Sequence, residues 1–374
     1  MYRINIKRTL AVALIATVQV VSASAVFSLP KVQKERKIAL TFAFFGCNRI
    51  DAKDWEKTRK ENPSSANVPQ LRQNLTDIAR LSPALLFFGG DLVMGYADDN
   101  GETLHSQMTA WIDLVKSFPR SPKTKYVAIT GNHELNRKVG DLKLPNLSTD
   151  AIWGTLVKPA GLIPARTSGP TPKNSPEDNL VSDQRALSFS FNRGSVHFVV
   201  LNTDTRVTTK DPQTGETKIG MVPIHWLKRD LDAAEHSPRI KCVVIMGHRN
   251  LVAPSSAKGD APIDPECAAP MIDILKSCPK VRAYICAHVH AFDITAIGEM
   301  GLKQVTFGNG GSLLEKGWNP VGGRTFGFGY FKVYADGSLG VVPYLRPEPK
   351  DYLESSAELV VAASPEAELI IAAR

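Results

Sequence analysis

Residues 84–91, Ala-Leu-Leu-Phe-Phe-Gly-Gly-Asp, form a short apolar run that ends in two glycines and an acid. Residues 126–134 repeat this pattern, because Tyr-Val-Ala-Ile-Thr is followed there by Gly-Asn-His-Glu. A short apolar run bounded by turn residues is typical of a buried strand. The two stretches therefore predict two buried strands, each ending at a small residue beside polar side chains.

Two later strands of the same kind end in histidines. Residues 241–246 lead into a glycine and His248, and residues 281–286 lead into His288 and His290. Ligands of open α/β sheets bind at the carboxyl ends of the strands, and small residues let the backbone turn tightly and approach the ligand. The four strand ends therefore predict one shared site. Its candidate residues are Asp91, Asn132, His133, His248, His288 and His290.

Strands and helices are expected to alternate along the rest of the chain. Amphipathic patterns typical of helices separate the strands, at residues 67–81, 103–118, 223–235 and 268–276. This alternation predicts an α/β fold with much parallel sheet. After about residue 291, short strands are divided by Gly-containing turns. This end is therefore expected to be antiparallel and to close a second sheet, with a hairpin turn at residues 335–337.

The composition is that of a globular protein with a mild preference for anions. Of the 374 residues, 43% are hydrophobic and 22% are charged, which allows one large domain or two modest ones and argues against disorder. The net charge of +8 attracts anions such as phosphate esters. No Lys/Arg cluster carries interleaved aromatic residues, so no specific nucleic-acid partner is predicted. No stretch after the N-terminus is apolar enough to span a membrane.

The N-terminus has the pattern of a signal peptide. A basic start precedes the apolar run of residues 10–21, and Ala-Ser-Ala follows at residues 23–25, where a signal peptidase would cut. We expect residues 1–25 to be removed and the protein to be exported, as a periplasmic or secreted protein; the alternative is an uncleaved anchor. One domain is then expected at residues 37–345, followed by an acidic, Ala-rich tail at residues 346–374 that is loosely packed or helical.

Two further features are less specific. Residues 135–181 are rich in Pro, Gly, Ser and Asn, with one helix expected near residues 149–157, and are either functional loops or a tolerated insertion. The chain has five cysteines, and export would allow disulfides. Because the count is odd, at least one thiol stays free or pairs with another molecule.

The residue types at the strand ends suit a centre of two metal ions. A carboxylate can bridge two cations, an amide oxygen can bind one, and imidazoles suit Zn, Fe and similar metals. Two cations a few ångströms apart can hold a phosphate between them, generate hydroxide and stabilise the transition state. The pattern therefore indicates metal-dependent chemistry on a phosphate ester.

The motifs resemble, in their order along the chain, those of the calcineurin-like metallophosphoesterases: Gly-Gly-Asp91, Gly-Asn132-His133-Glu134, Gly-His248 and His288-x-His290. That superfamily includes the purple acid phosphatases and the cyclic-nucleotide phosphodiesterases, and the resemblance runs from about residue 38 to residue 344. It implies a four-layer α/β fold in which two central mixed β-sheets are flanked by helices. It also implies an enzyme that hydrolyses a phosphate mono- or diester with a metal-bound hydroxide, using two divalent or trivalent ions of Mn, Fe or Zn.

The resemblance implies a role for each motif residue. Asp91 would bridge both metals, and His290 would bind the first. His133 would lie just outside the metals, where it stabilises the phosphoryl group or protonates the leaving oxygen. Glu134 would support the ligands from behind. The second metal would be completed by Asn132, His248 and His288.

A weaker likeness to the purple-acid-phosphatase branch lies at residues 198–205, which include Asn202 and Asp204, and at residues 225–227. Ordinary core packing explains Trp226 in this stretch better than a role in the site. These residues are therefore left outside the predicted site.

The end of the first strand departs from the family pattern. There the family has Asp-x-His, and both residues bind the first metal, whereas this chain has Gly46-Cys47-Asn48-Arg49. Arginine stays protonated and does not bind metals. The favoured interpretation is that Cys47 binds the metal as a thiolate and Arg49 contacts the substrate phosphate. Two alternatives stay open: the first metal is weak or absent and the charge of Arg49 partly replaces it, or the protein has lost activity and only binds phosphate or nucleotide ligands.

Overall fold

The computed structural model describes residues 36–50, 68–210, 215, 217–258, 262–299, 301–349 and 361–374. The predicted signal peptide lies outside these residues. None of the helices in the described ranges is long and apolar enough to cross a membrane.

Strands and helices alternate through most of the described chain, as predicted. The helices are α1 (Val68–Leu81), α2 (Glu102–Ser117), α3 (Asn132–Leu135), α4 (Thr149–Ile152), α5 (Ile224–His236) and α6 (Pro265–Ser277). The strands are β1 (Ile38–Phe45), β2 (Leu85–Gly89), β3 (Lys125–Ile129), β4 (Asn136–Val139), β5 (Leu142–Pro145), β6 (Phe189–Arg193), β7 (Val196–Val200), β8 (Cys242–Met246), β9 (Val281–Cys286), β10 (Phe292–Ala296), β11 (Lys303–Phe307), β12 (Thr325–Tyr334), β13 (Leu339–Pro347), β14 (Ser364–Pro365) and β15 (Leu369–Ile371).

The larger sheet of the described chain has seven strands. Their order is β14-β13-β12-β1-β2-β3, and β15 also pairs with β13. β1, β2 and β3 run parallel, so that Phe44 lies beside Phe87, and Phe88 lies beside Ala128. The hairpin of β12 and β13 runs antiparallel beside β1. The carboxyl ends of β1, β2 and β3 therefore meet at one edge of the sheet.

The second sheet has six strands in the described chain, in the order β10-β11-β9-β8-β7-β6. β7, β8, β9 and β11 are parallel, and β6 and β10 pair antiparallel at the edges. Every residue of β7, β8 and β9 is buried, as expected for parallel strands covered on both faces. Cys242 and Cys286 lie in these strands, and all five cysteines of the chain are buried free thiols.

The two sheets pack face to face around an aromatic core. The Phe198 ring of the second sheet lies 5.4 Å from the ring of Phe42 and 5.3 Å from that of Phe87, both in the first sheet. Helix α2 covers the outer face of the first sheet, where the Trp111 ring meets the Phe88 ring edge-on at 5.1 Å. Helices α5 and α6 form a separate apolar cluster with the outer face of β8. The layers run helix, sheet, sheet, helix, and this confirms the predicted four-layer α/β fold.

The C-terminal part of the chain is only partly as expected. The predicted turn at residues 335–337 joins β12 to β13. This hairpin belongs to the first sheet and not to the second. Of the described strands after residue 291, β10 and β11 belong to the second sheet. The alternation of apolar and polar residues along a strand shows which face of the strand is buried. It does not show which other strand lies beside it. The expectation of a terminal helix is wrong for residues 361–374, which form β14 and β15 beside β13. These strands are too short to show any periodicity.

The long segment at residues 135–181 contains regular structure near the strand ends. β4 and β5 form a hairpin directly after α3. Helix α4 starts at Thr149 and continues as a π-helix over Trp153–Val157, which confirms the helix predicted there. The segment is therefore attached to the edge of the sheet at which the candidate residues follow the strands.

Candidate metal centre

The candidate site lies where the carboxyl ends of strands from both sheets meet. A Cβ atom at Gly46 would lie 2.6 Å from the Cβ of Ala287, so the loops after β1 and β9 are in contact. A Cβ atom at Gly131 would lie 2.2 Å from the backbone nitrogen of Asp91, so the loops after β2 and β3 are equally close. Larger residues would push these loops apart. This explains why small residues precede the candidate ligands.

Three candidate ligand atoms surround one ring nitrogen of His248. His248 Nε2 lies 3.0 Å from Asn132 Oδ1 and 3.1 Å from a carboxylate oxygen of Asp91. It also lies 3.2 Å from His288 Nδ1. On the other side of the ring, His248 Nδ1 lies 2.8 Å from the Gly89 carbonyl oxygen and donates a hydrogen bond to it. Nε2 is therefore the atom that can accept a proton or a metal ion. We refer to the set as the complete group: Asp91, Asn132, His248 and His288.

The charges in the complete group favour a cation beside His248 Nε2. Burial by itself raises the pKa of the Asp91 carboxyl, but His248, His133 and Arg49 outweigh burial and hold that pKa well below its usual range. Burial lowers the pKa of His248, but the charge of Asp91 outweighs it and raises that pKa. Asn132 donates from Nδ2 to the Tyr96 hydroxyl, which turns its oxygen toward His248. Carboxylate, amide oxygen and imidazole together form a donor set for a transition metal ion.

Among the described residues, His288 has a partner at only one of its two ring nitrogens, Nδ1. Its Nε2 is buried and makes no hydrogen bond to any described residue. Burial, reinforced by the charges of His248 and Arg249, holds the pKa of His288 well below the usual value, so the ring is neutral. A neutral imidazole can bind a metal ion through Nδ1, the nitrogen that faces His248 Nε2. The complete group therefore fits a bound metal ion.

The loop after β1 supplies the other side of the site. The thiol of Cys47, an Asp91 carboxylate oxygen and a ring nitrogen of His248 all lie within 4.8 Å of one another. Burial, together with the charge of Asp91, raises the pKa of the Cys47 thiol well above its usual value. His290 Nδ1 lies 2.6 Å from the Leu313 carbonyl oxygen and donates to it, which leaves Nε2 able to bind a metal. We refer to this set as the variant group: Cys47, Arg49 and His290.

Arg49 is held beside the metal-binding atoms and does not bind metal itself. Its Nε donates to Ser312 Oγ at 3.1 Å, and its Nη1 lies 3.3 Å from His133 Nε2. Its guanidinium forms no ion pair with a carboxylate of the described residues. The side chain is half-buried, so its positive charge remains available to an anion in the site.

His133 lies between Asp91 and Arg49, next to the converging ligand atoms. Its backbone N–H donates to Asp91 Oδ1 at 3.2 Å, and its ring Nδ1 donates to the Met94 carbonyl oxygen at 2.5 Å. Burial lowers the pKa of His133 to about 4; the charge of Asp91 opposes this shift and that of Arg49 adds to it. The neutral ring therefore presents the lone pair of Nε2 to Arg49.

The backbone of these loops is held in a rarely populated conformation. Cys47, Arg49, Asp91 and His288 all have left-handed φ angles, of 61°, 45°, 53° and 58°. Such angles are uncommon outside glycine and cluster at functional sites. Backbone hydrogen bonds fix them, because the N–H groups of Asn48 and Arg49 both donate to the carbonyl oxygen of Asp91.

Glu134 supports the ligands without facing the site. Its carboxylate accepts hydrogen bonds from the backbone N–H groups of Asp91, Leu92, Val93 and Gly131, at 2.7 to 3.1 Å. Burial and the charge of Asp91 raise its pKa to about 7, whereas these N–H donors oppose that shift. The carboxylate joins the loops after β2 and β3, which fits the supporting position expected from the motif.

Three residues near the site were missed by the sequence prediction or left outside it. Tyr96 orients Asn132, and Ser312 holds Arg49. Asp204, whose likeness was judged weak, forms a buried ion pair with Arg249 at 2.7 Å, directly after His248. Tyr96 and Ser312 follow no strand motif, so nothing in the sequence pattern marks them. Trp226 packs in the apolar cluster of α5 and α6, as its core interpretation expected.

The family model for calcineurin-like phosphoesterases matches residues 63–292, and the chain belongs to this family. This membership confirms the resemblance seen in the motifs. No curated protein sequence matches the chain significantly.

Several solved structures share the fold at low sequence identity. A purple acid phosphatase from yellow lupin (Lupinus luteus) seeds is 14% identical, with a TM-score of 0.53 over 88% of this chain and 53% of that one. This chain thus spans about half the length of the lupin enzyme. A dimetal phosphatase from Danio rerio, also 14% identical, gives a TM-score of 0.52 over 90% of this chain and 100% of that one. PhoD is also 14% identical and gives a TM-score of 0.51 over 88% of this chain and 69% of that one.

Proposed function

We propose that the protein is a metal-dependent phosphoesterase that hydrolyses a phosphate mono- or diester. Membership of the calcineurin-like phosphoesterase family supports phosphoester hydrolysis in general. The observation that carries the proposal is the convergence of Asp91, Asn132 and His288 on His248 Nε2, within 3.2 Å. Carboxylate, amide and imidazole atoms that face one point form a donor set for a transition metal ion.

The family implies a dinuclear metal centre, and the two groups divide between its two positions. The complete group would hold one ion, and Cys47 and His290 would hold the other, with Asp91 shared. Bound ions would supply Lewis-acid charge for the phosphoryl oxygens and activate a water molecule as the nucleophile. The proposed metals are Mn, Fe or Zn. A thiolate ligand at Cys47 favours Zn or Fe over Mn.

Arg49 and His133 are the protein groups proposed to act on the substrate. Ser312 fixes Arg49 through Nε and leaves the terminal nitrogens to hydrogen-bond phosphoryl oxygens. A negatively charged phosphate beside His133 would raise the low pKa of this ring. His133 could then hold a proton on Nε2 and transfer it to the leaving oxygen.

A catalytically impaired phosphate- or nucleotide-binding protein is the second candidate. The observation that favours it is the variant group, in which a thiol with a raised pKa and an arginine replace the family's acid and histidine. The complete group would then hold a metal that binds phosphate without turning an ester over.

We also propose that the protein is exported. The support is the sequence pattern of residues 1–25, a basic start, an apolar run and Ala-Ser-Ala. Cleavage after residue 25 would be seen directly in the N-terminal sequence of the mature protein. A mature chain that starts at Met1 would contradict removal of the segment.

Metal-dependent turnover by the purified protein tests the proposed activity. The protein is stripped with a chelator, reloaded with Mn, Zn or Fe, and assayed with 4-nitrophenyl phosphate and bis(4-nitrophenyl) phosphate. We expect metal-dependent turnover that Asp91→Asn lowers by at least about a thousandfold, since a neutral amide oxygen replaces the carboxylate that would bridge both ions. Asp113→Asn, at an exposed position of α2, is the matched control.

The outcomes separate the two candidate functions. Turnover that survives both chelation and Asp91→Asn contradicts the metal-dependent enzyme. Metal and inorganic phosphate that bind to wild-type protein without turnover of either ester support the impaired binding protein.

A further inference from the structure

The hairpin of β4 and β5 forms one border of the metal centre. It starts directly after α3, the short helix that carries Asn132 and His133. The backbone N–H of Lys138 donates to the Tyr96 carbonyl oxygen at 2.9 Å, and Arg137 forms an ion pair with Asp98. The hairpin is therefore fixed to the loop after β2 and cannot shift without disturbing the site.

Tyr96 connects this hairpin to the proposed catalytic residues. Its ring lies 4.0 Å from the His133 ring, and its hydroxyl accepts a hydrogen bond from Asn132. The ammonium groups of Lys138 and Lys143 lie 5.0 Å and 5.8 Å from the centre of the same ring. The Tyr96 ring is thus close both to the His133 ring and to two positively charged side chains.

These two charges are not neutralised by the described part of the protein. Neither Lys138 nor Lys143 forms an ion pair with a described carboxylate, whereas the neighbouring Arg137 is paired with Asp98. Lys138 is exposed and Lys143 is partly exposed. A cation–π contact attracts an ammonium group to the ring but leaves its charge in place. Like charges near one ring repel, and a bound anion would relieve this repulsion.

We infer that Lys138 and Lys143 select phosphate esters whose leaving group carries a second anionic group, such as a second phosphate. The inference rests on the proposed function, in which His133 faces the leaving oxygen. The leaving group then extends past Tyr96 toward the two lysines. A second phosphate on that side would lie among the unpaired ammonium groups, while an uncharged leaving group would gain nothing from them.

A matched pair of nucleotides tests this selection. Adenosine 3′,5′-bisphosphate and adenosine 5′-monophosphate differ by one phosphate, and phosphate release from each gives kcat/KM on the metal-loaded wild-type enzyme. We expect a preference of about tenfold for the bisphosphate at low salt. The preference should fall as salt is added, because ions screen exposed charges.

Charge-removing variants then assign the preference to the hairpin. Lys138→Gln and Lys143→Gln should each lower kcat/KM for the bisphosphate by about threefold, and the double variant should abolish the preference, with the monophosphate changed by less than about twofold. Lys116→Gln, at an exposed position of α2, should leave the preference intact. Equal rates for both nucleotides in the wild type, or full preference in the double variant, overturn the inference.

Failure of the proposed function remains distinguishable from failure of this selection. Hydrolysis of 4-nitrophenyl phosphate, which carries no second anion, tests the function alone. If no ester is hydrolysed, calorimetric binding of the bisphosphate to metal-loaded wild type and double variant decides the role of the lysines. Equal affinity in the two proteins overturns it, and weaker binding by the double variant supports it.

Discussion

The complete group and the variant group differ in where their protons and charges lie. In the complete group, Gly89 and Tyr96 take up the hydrogen-bond donors of His248 and Asn132, so the acceptor atoms face inward. In the variant group, the thiol of Cys47 has a raised pKa and keeps its proton, and Arg49 adds a fixed positive charge. The acceptor atoms of the complete group face one point beside the charge of Asp91, whereas the variant group must lose the proton of a buried thiol to bind a cation.

This difference has a consequence for the metals. A ligand that must be deprotonated makes metal binding dependent on pH and releases a proton on binding. In the complete group, His248 has a raised pKa, but the Asp91 charge that raises it also attracts an incoming cation. The two metal positions are therefore expected to differ in affinity, in pH dependence and in preference for thiophilic ions.

Removal of a ligand from the complete group is the largest expected effect. His248→Ala should abolish binding at that position and lower kcat/KM by at least about a thousandfold, because the ring contacts every other ligand atom of the group. Metal content and ester turnover measure the two losses. His236→Ala, at the end of α5, is the matched control. Turnover within about tenfold of wild type would mean that this group is not the metal site.

Substitution of Cys47 should have an intermediate effect and should spare the complete group. Cys47→Ser removes the thiolate and should weaken one metal at least about tenfold, whereas Cys47→Asp supplies a carboxylate and should retain it. In the wild type, this metal should bind more weakly as pH falls, since binding must displace the thiol proton. Metal stoichiometry after dialysis, measured across pH, tests all three expectations. If both variants bind metal as the wild type does, Cys47 is not a ligand.

Changes at Arg49 should have the smallest effect, on anion binding alone. Arg49→Lys keeps the charge but loses the planar fork and the contact to Ser312, so the affinity for inorganic phosphate should fall about fivefold. Ser312→Ala keeps the guanidinium of Arg49 but removes the hydroxyl that holds it, and should weaken phosphate binding about twofold. Calorimetry of phosphate binding to the metal-loaded protein measures both, with Arg239→Lys as the exposed control. An unchanged dissociation constant in Arg49→Lys would remove Arg49 from the phosphate site.

The sequence was most informative where a strand ends. The apolar runs before Asp91, Asn132 and His248 each predicted a buried strand, and the structure has a strand at each. Parallel strands bring their carboxyl ends to one edge, so the order of the motifs was enough to expect that the side chains meet. The return of β12 and β13 to the first sheet was not predictable in the same way, because their pattern identifies a buried face and not a partner strand.

The sequence by itself determined the fold class, the order of the motifs and the types of the candidate ligands. The tertiary structure decided how each of them is oriented and charged. Ser312 holds Arg49 although it lies 263 positions further along the chain, and Tyr96 turns the oxygen of Asn132 toward the site. The physical reason is that a hydrogen bond depends on distance and direction between groups that folding brings together. Such contacts leave no periodic pattern in the sequence.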